Sequence, residues 1–416
     1  MRTWWLLILS TLVYAVNVVD RQLLPLLAES IRKDIQLADW QFGLLTGLTF
    51  AAFYALVTLP LAWCADTGNR RPIVAACLGV FSLATAACGV VVSFWQLAIA
   101  RSAVAVGEAG TTPASLSMLS DAYPDRKGFV SGVFTAGAHL GVLVGTVLAA
   151  YLAARWGWRL SFFAAGAFGL GIAGLYILLA REPRRLSQRP SEPESYWHLL
   201  KTLWSGPHFS WLVLATTGLL FFSNATGAWL PTLLMRAHHL TVTQVGLFIG
   251  LTAGLAGMVF VGASGPLLDR LIRRDRRWVA WLPSIVFVVI LAATWAGVVV
   301  QSTPLALLLL AVGPSLLLVI QTAIFTMVQT YLPGHRQASA IAMLFLVANL
   351  LGMGLGPTLV GALSSYWGGA GPLGLRPALI FGLCPTLIGL IACLRLTSHV
   401  AAAAANAESG VPARLS

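Results

Sequence analysis

A chain of 416 residues in which 58% of side chains are hydrophobic and only 10% are charged has too little polar surface to cover a water-soluble globule. The formal net charge of +12 invites nucleic acid as a partner, but the basic residues fall in short groups between long apolar runs, which argues against one. What remains is a polytopic membrane protein.

An apolar run must be roughly 20 residues long to cross about 30 Å of hydrocarbon. Twelve qualify, at 3–27, 40–63, 72–94, 96–119, 129–153, 160–180, 209–235, 244–267, 278–300, 304–330, 338–365 and 377–396. The first carries Asn17, Asp20 and Arg21 and has no small-residue cleavage pattern, so it reads as a span and not as a removable signal peptide. A turn with Asp66, Arg70 and Arg71 follows the second span, and the fourth span contains Arg101 and Glu108. The segment 181–208, with Pro183, Pro190, Pro193 and mixed charge, reads as a cytoplasmic linker between an N-terminal bundle (1–180) and a C-terminal bundle (209–396). The seventh and tenth spans supply Phe221, Asn224, Trp229, Phe325 and Gln329, and Asp269 and Arg270 follow the eighth. Residues 397–416 are expected to form a disordered cytoplasmic tail.

Of the 26 lysines and arginines, 18 fall on one side of the membrane, six on the other and two, Arg21 and Arg101, inside spans. Positive charge stays in the cytoplasm, which places both termini inside. Short connections leave no room for an extramembrane catalytic domain, and no Ser/His or His/Asp set suggests an enzyme. Neither a phosphate-binding loop nor metal-ligand spacing occurs, so no cofactor and no metal are expected.

The two halves echo each other. Asp66-Thr-Gly-Asn-Arg70-Arg71 after the second span matches Asp269-Arg270-Leu-Ile-Arg273-Arg274 after the eighth. Tyr123-Pro124-Asp-Arg126 corresponds to Tyr331-Leu-Pro333-Gly-His-Arg336, and Gly141-x-x-x-Gly145 in the fifth span to Gly352-x-x-x-Gly356 in the eleventh. Matches in order at a nearly constant offset indicate a duplicated six-helix unit.

The two turns resemble the loop 2–3 and loop 8–9 signature of the major facilitator superfamily, although Ala62 and Cys64 replace the glycine and leucine that lead the first copy. Asn17-x-x-Asp20-Arg21, Gly43-Leu-Leu-Thr-Gly47 and Gly107-Glu108-Ala-Gly110 resemble its spinster branch of lipid transporters, as a bacterial homologue would. The resemblance implies an all-α membrane fold of twelve transmembrane helices in two pseudo-symmetric six-helix bundles. It also implies a charged conformational latch at Asp66, Arg70, Arg71, Asp269 and Arg270, and a central cavity lined by the first and fourth helices of each half.

Charge at bilayer depth costs a few kcal/mol per group, so such residues face a cavity or one another. Asp20 lies about 25 Å along the first helix, and Arg101 and Glu108, seven residues apart, share one helical face. Plain alternatives stand beside this: Asp20 and Arg21 as an exposed helix cap, Arg101 snorkelling to an interface, and Glu108 in a static hydrogen bond beside Gly107. The functional reading makes Asp20 and Glu108 proton carriers, with Arg21 and Arg101 holding an anion. Asn17, Phe221, Asn224, Trp229, Phe325 and Gln329 would complete the substrate site.

The expectation is therefore a proton-coupled secondary transporter for an amphiphilic organic anion of the lysophospholipid or sphingoid type. A multidrug exporter or a small organic-anion symporter of the same superfamily is the alternative. The expected partners are that substrate, protons and membrane lipids, and the expected setting is a monomer in the bacterial inner membrane.

Overall fold

The computed structural model describes residues 2–185, 204, 209–275, 277–331, 341, 343–368 and 371–408. Among them the regular structure is helical throughout, as lipid requires when each backbone polar group must be satisfied within its own segment. The first span is one helix, Arg2–Ile35, that continues through Asp20, Arg21 and Pro25 well past the end expected at 27. The second is Asp39–Thr46 and Leu48–Thr67, divided at Gly47, and the third is Arg70–Cys88, where the Asn69 side chain accepts the Arg71 N–H. The fifth and sixth spans are Lys127–Trp156 and Trp158–Leu179.

Eleven helices among the described residues are long and apolar enough to cross a membrane. The fourth span, Phe94–Ala109 and Thr111–Ala122 divided at Gly110, is the exception, because Gln96, Arg101, Glu108, Thr111 and Thr112 dilute its apolar run.

In the second half, Phe209–His238 forms the seventh span. Val242–Ile249, a π-helical stretch Gly250–Ala256 and Gly257–Arg274 form the eighth. Trp278–Val299 and Thr303–Tyr331 follow. The eleventh runs from 343 through a second π-helical stretch, Asn349–Met353, to Gly354–Tyr366, and the twelfth is Pro372–Gly382 and Thr386–Glu408. That last helix overruns the tail expected from 397, because the alanine-rich stretch Val400–Ala405 has high helix propensity. Residues 409–416 and most of the expected linker, 186–203 and 205–208, lie outside the described residues.

Each half forms its own bundle: the first span packs on the fifth, the third on the fourth and sixth, the seventh on the eleventh and twelfth, and the ninth on the tenth. The glycine echo in the sequence marks equivalent crossings. A Cβ on Gly141 would meet the Ala15 carbonyl of the first span at 2.7 Å, and one on Gly356 would meet the Phe221 carbonyl of the seventh at 2.8 Å. Small residues let these helices approach backbone to backbone, where dispersion and not hydrophobicity must hold them.

The bundles meet along three seams, between the first and seventh, second and eleventh, and fifth and eighth spans. These are close contacts too: a Cβ on Gly43 would lie 2.6 Å from the Pro357 carbonyl, and one on Gly246 would lie 2.5 Å from Ala150 Cβ. The seam residues lie from mid-depth toward the charge-poor face. Toward the basic face, among the described residues, Thr111–Ala122 and Thr303–Tyr331 pack chiefly on helices of their own bundles, so there the bundles diverge and the cleft opens to the basic side.

Candidate transport site

Asp20 and Arg21 follow one another on the first helix, and so their side chains leave it roughly 100° apart. Arg101 and Glu108 project from the fourth span toward that helix. The four residues pair crosswise. Arg101 Nη1 donates to Asp20 Oδ2 at 2.7 Å, and Arg21 Nε donates to Glu108 Oε1 at 2.6 Å.

The two pairs differ in access. The Asp20 and Arg101 side chains are 1% and 4% exposed, and Glu108 is 3%, whereas Arg21 is 36% exposed. Asp20 is fully engaged, since its second oxygen accepts the Thr85 hydroxyl at 2.5 Å. Glu108 is not, because its Oε2 is buried without a hydrogen-bond partner, as is Arg101 Nε. Asn17 is buried and donates to Thr111 Oγ1 at 2.6 Å, and that hydroxyl donates to the Glu108 carbonyl at 2.8 Å, tying the first span to the break in the fourth.

Sequence reasoning missed three contributors here. Thr85, Phe50 and Tyr54 come from the third and second spans, where a threonine or an aromatic ring has no distinguishing signal. Phe50 lies 5.4 Å from the Arg21 guanidinium and 5.2 Å from that of Arg101, and Tyr54 lies 5.3 Å from Arg21. Cation–π contact lets a guanidinium sit at this depth beside a single carboxylate. The alternatives of an exposed cap at Asp20 and a snorkelling Arg101 do not describe this geometry.

The second-half residues divide. Trp229 is fully buried at the crossing of the second, seventh and eleventh spans, where its Nε1 donates to the Pro357 carbonyl at 2.9 Å and its ring meets Phe42 edge-on at 5.1 Å. It therefore packs the seam and does not line a cleft in this state. Phe221 is likewise buried, under Gly352 and Gly356. Asn224 and Phe325 are half-buried, with Asn224 donating to the Leu220 carbonyl at 2.8 Å and Phe325 lying 5.5 Å from the Phe345 ring. The Gln329 side chain lies outside the described residues, as does that of Asp66.

The expected latch also looks different. Arg70 is buried and bonds to Asp121 at 2.5 Å and Ser117 at 2.9 Å within the first bundle, and to Glu182 at 2.6 Å at the start of the expected linker. Arg71 donates its backbone N–H to Glu182 at 2.9 Å and its guanidinium to the Ile177 carbonyl. These arginines join the ends of the third, fourth and sixth helices to one another. Asp269 and Arg270 are exposed and enter no ion pair among the described residues. Among the described residues no ion pair joins the turns of the two bundles at the basic face.

The polar link between bundles sits at the opposite face, in residues the sequence did not single out. Asp39 is 1% exposed and accepts from Arg236 Nη1 and Nη2, both at 2.9 Å, from Arg32 at 2.8 Å and from the Ser364 hydroxyl at 2.6 Å. Arg236 also reaches Glu29 at 2.7 Å. Two arginines and two carboxylates from the first, second and seventh spans thus balance over a closed seam. An aspartate opening a helix is so common as a first-turn residue that its sequence position gave no hint.

Residues 6–357 match the family described as Major Facilitator Superfamily. The chain belongs to this superfamily and is a transporter of its fold. A 31% identity over 368 residues relates it to an MFS-type efflux pump of Mycolicibacterium smegmatis, covering 87% of this chain and 85% of that protein. Protein spinster homolog 3 of Danio rerio is 27% identical over 383 residues, covering 84% and 74%. A bacterial homologue of the human lysosomal transporter Spinster, solved in an inward-facing and unoccupied conformation, superposes with a TM-score of 0.84 at 25% identity over 96% of this chain and 97% of that one. The spinster resemblance of the sequence motifs and this likeness agree.

Within this superfamily fold, replacing Arg101 should be costly. Arg101→Ala leaves Asp20 as a buried charge with only Thr85 beside it, which destabilises by about 3–5 kcal/mol. Arg101→Lys should retain part of that, and Asp20→Asn in the Arg101→Ala background should recover most of it. Thermal unfolding in detergent measures all three, and an Arg101→Ala midpoint equal to the parent's contradicts the pairing.

Proposed function

We propose that the chain is a secondary active transporter that moves an amphiphilic organic anion, of the lysophospholipid or sphingoid type, by alternating access coupled to protons. The observation that carries this reading is the unequal pair of ion pairs, in which Arg21 alone is open while its partner Glu108 is buried with one oxygen unbonded. An anionic head group entering the cleft competes with Glu108 for Arg21. Glu108, left without its cation, becomes neutral by taking a proton, since an unpaired charge at that depth is costly. Asp20 and Arg101, sealed behind Phe50, can undergo the same exchange only when the bundles move.

The tail preference rests on the opposite wall, where Phe325 and Asn224 offer apolar and weakly polar surface without charge. The 18-to-6 division of basic residues supports a cytoplasmic basic face, both termini inside a bacterial inner membrane and a cleft that faces inward. A second reading, multidrug export, has in its favour the identity to the mycobacterial efflux pump.

Flux in proteoliposomes with a lysophospholipid, a cationic dye and a sugar acid distinguishes these. Lysolipid movement driven by an imposed pH gradient is expected. Transport of the dye alone favours the second reading, and transport of the sugar acid alone overturns the amphiphile.

A further inference from the structure

Beside the charged centre lies a cavity of about 100 Å³ between the first, seventh, eighth and tenth spans. Its polar lining comes from Gln22, Ser223, Thr226, Gly227 and Thr252, none of them charged, and the rest of its wall is apolar. Gln22 directly follows Arg21, so the cavity and the open guanidinium occupy adjoining sides of one helix.

The lining is unbalanced in a way that selects a ligand. The Thr226 hydroxyl donates its proton to the Phe222 carbonyl at 2.7 Å, and the Thr252 hydroxyl donates to the Phe248 carbonyl at 2.8 Å. A hydroxyl whose single proton is spent can offer only lone pairs. Gly227 presents backbone, and its carbonyl lacks the usual helical donor because the residue four positions on is Pro231. The eighth span lines the same cavity with its π-helical stretch, a form of helix often found at functional sites. The side-chain groups with protons to give are the Gln22 amide and the Ser223 hydroxyl, neither of which makes a hydrogen bond among the described residues, and since their own oxygens accept as well, acceptors outnumber donors in this lining.

We infer that this cavity binds a hydrogen-bond-donating group of the substrate, a primary ammonium or a hydroxyl, while the substrate's anionic group lies on Arg21. This rests on the amphiphile reading above and narrows it to head groups that carry donor and anion together. A trimethylated ammonium has no proton to give and is wider than a primary one, so the acceptors would be left unpaired against it.

The test compares lysophosphatidylethanolamine with lysophosphatidylcholine of the same chain length, by binding to the full-length protein in detergent. The parent protein should prefer the ethanolamine head by roughly tenfold. Thr226→Val combined with Thr252→Val should bring that ratio near one by weakening the ethanolamine lipid more than the choline lipid, and Thr252→Ser should keep the preference. Equal affinities in the parent protein, or an unaltered ratio in the double variant, overturn the inference and leave the transport reading intact. Stabilisation by sodium chloride over choline chloride, without discrimination between the lipids, would reassign the cavity to a cation and also overturn it. If neither lipid binds, the lysophospholipid reading fails and takes this inference with it.

Discussion

Glu108→Gln and Asp20→Asn should each uncouple transport from the proton gradient. Both substitutions keep size and hydrogen-bonding capacity but remove the group that can gain and lose a proton. Glu108→Gln leaves Arg21 facing the cleft without its counter-charge, so substrate binding and exchange should persist or tighten. Gradient-driven accumulation should fall by about one to two orders of magnitude, the range typical of a coupling free energy between two sites. Proteoliposome uptake under an imposed pH gradient, set beside counterflow without one, separates the two activities. Full accumulation in Glu108→Gln would remove Glu108 from the coupling. Asp20→Asn carries a second consequence, since it leaves Arg101 buried beside Thr85 and an amide; reduced thermal stability should accompany its loss of coupling, whereas Glu108→Gln should be milder because Arg21 can reach water.

Breaking the polar node at the charge-poor face should shift the conformational balance more than any change at the basic turns. Asp39 receives four hydrogen bonds from three other spans, and those to Arg236 and Ser364 cross from one bundle to the other. Arg236→Met removes the second bundle's cation, leaving Asp39 to Arg32 and Ser364 and taking from Glu29 its partner. Removing one partner of a buried pair costs about 3–5 kcal/mol, and this cost falls only on the state in which the seam is closed. A bias of that size changes the ratio of two conformers by roughly two to four orders of magnitude. Spin labels at Lys33 and Thr243, both exposed near that face in opposite bundles, should report a longer distance in Arg236→Met. An unchanged distance distribution would show that glycine packing at Gly43 and Gly246 holds the seam without the ion pairs.

The basic turns illustrate how a correct motif can carry an incomplete expectation. Asp66, Arg70 and Arg71 and their echo at Asp269 and Arg270 were legible as a repeated unit. Arg70 nonetheless spends its donors on Asp121 and Ser117 inside one bundle and on Glu182. Glu182 opens the expected linker and had no reason to stand out there. Trp229 is the converse case, since an aromatic residue in a cavity helix reads as a ligand contact until its Nε1 is seen bonded to Pro357.

Sequence by itself determined the number and approximate limits of the spans, the duplication, and the place of Asp20, Arg21, Arg101 and Glu108 inside apolar spans. It could do so because hydrocarbon demands long apolar helices and tolerates charge only where something repays it. Only the tertiary structure decided that Arg101 takes Asp20 and Arg21 takes Glu108, that Asp39 and Arg236 bind the bundles together, and which face of the cleft is shut. The reason is that helices apolar on every side carry no hydropathy contrast between lipid and protein neighbours. Which way each one turns is fixed by glycine contacts and by polar partners far away in the chain.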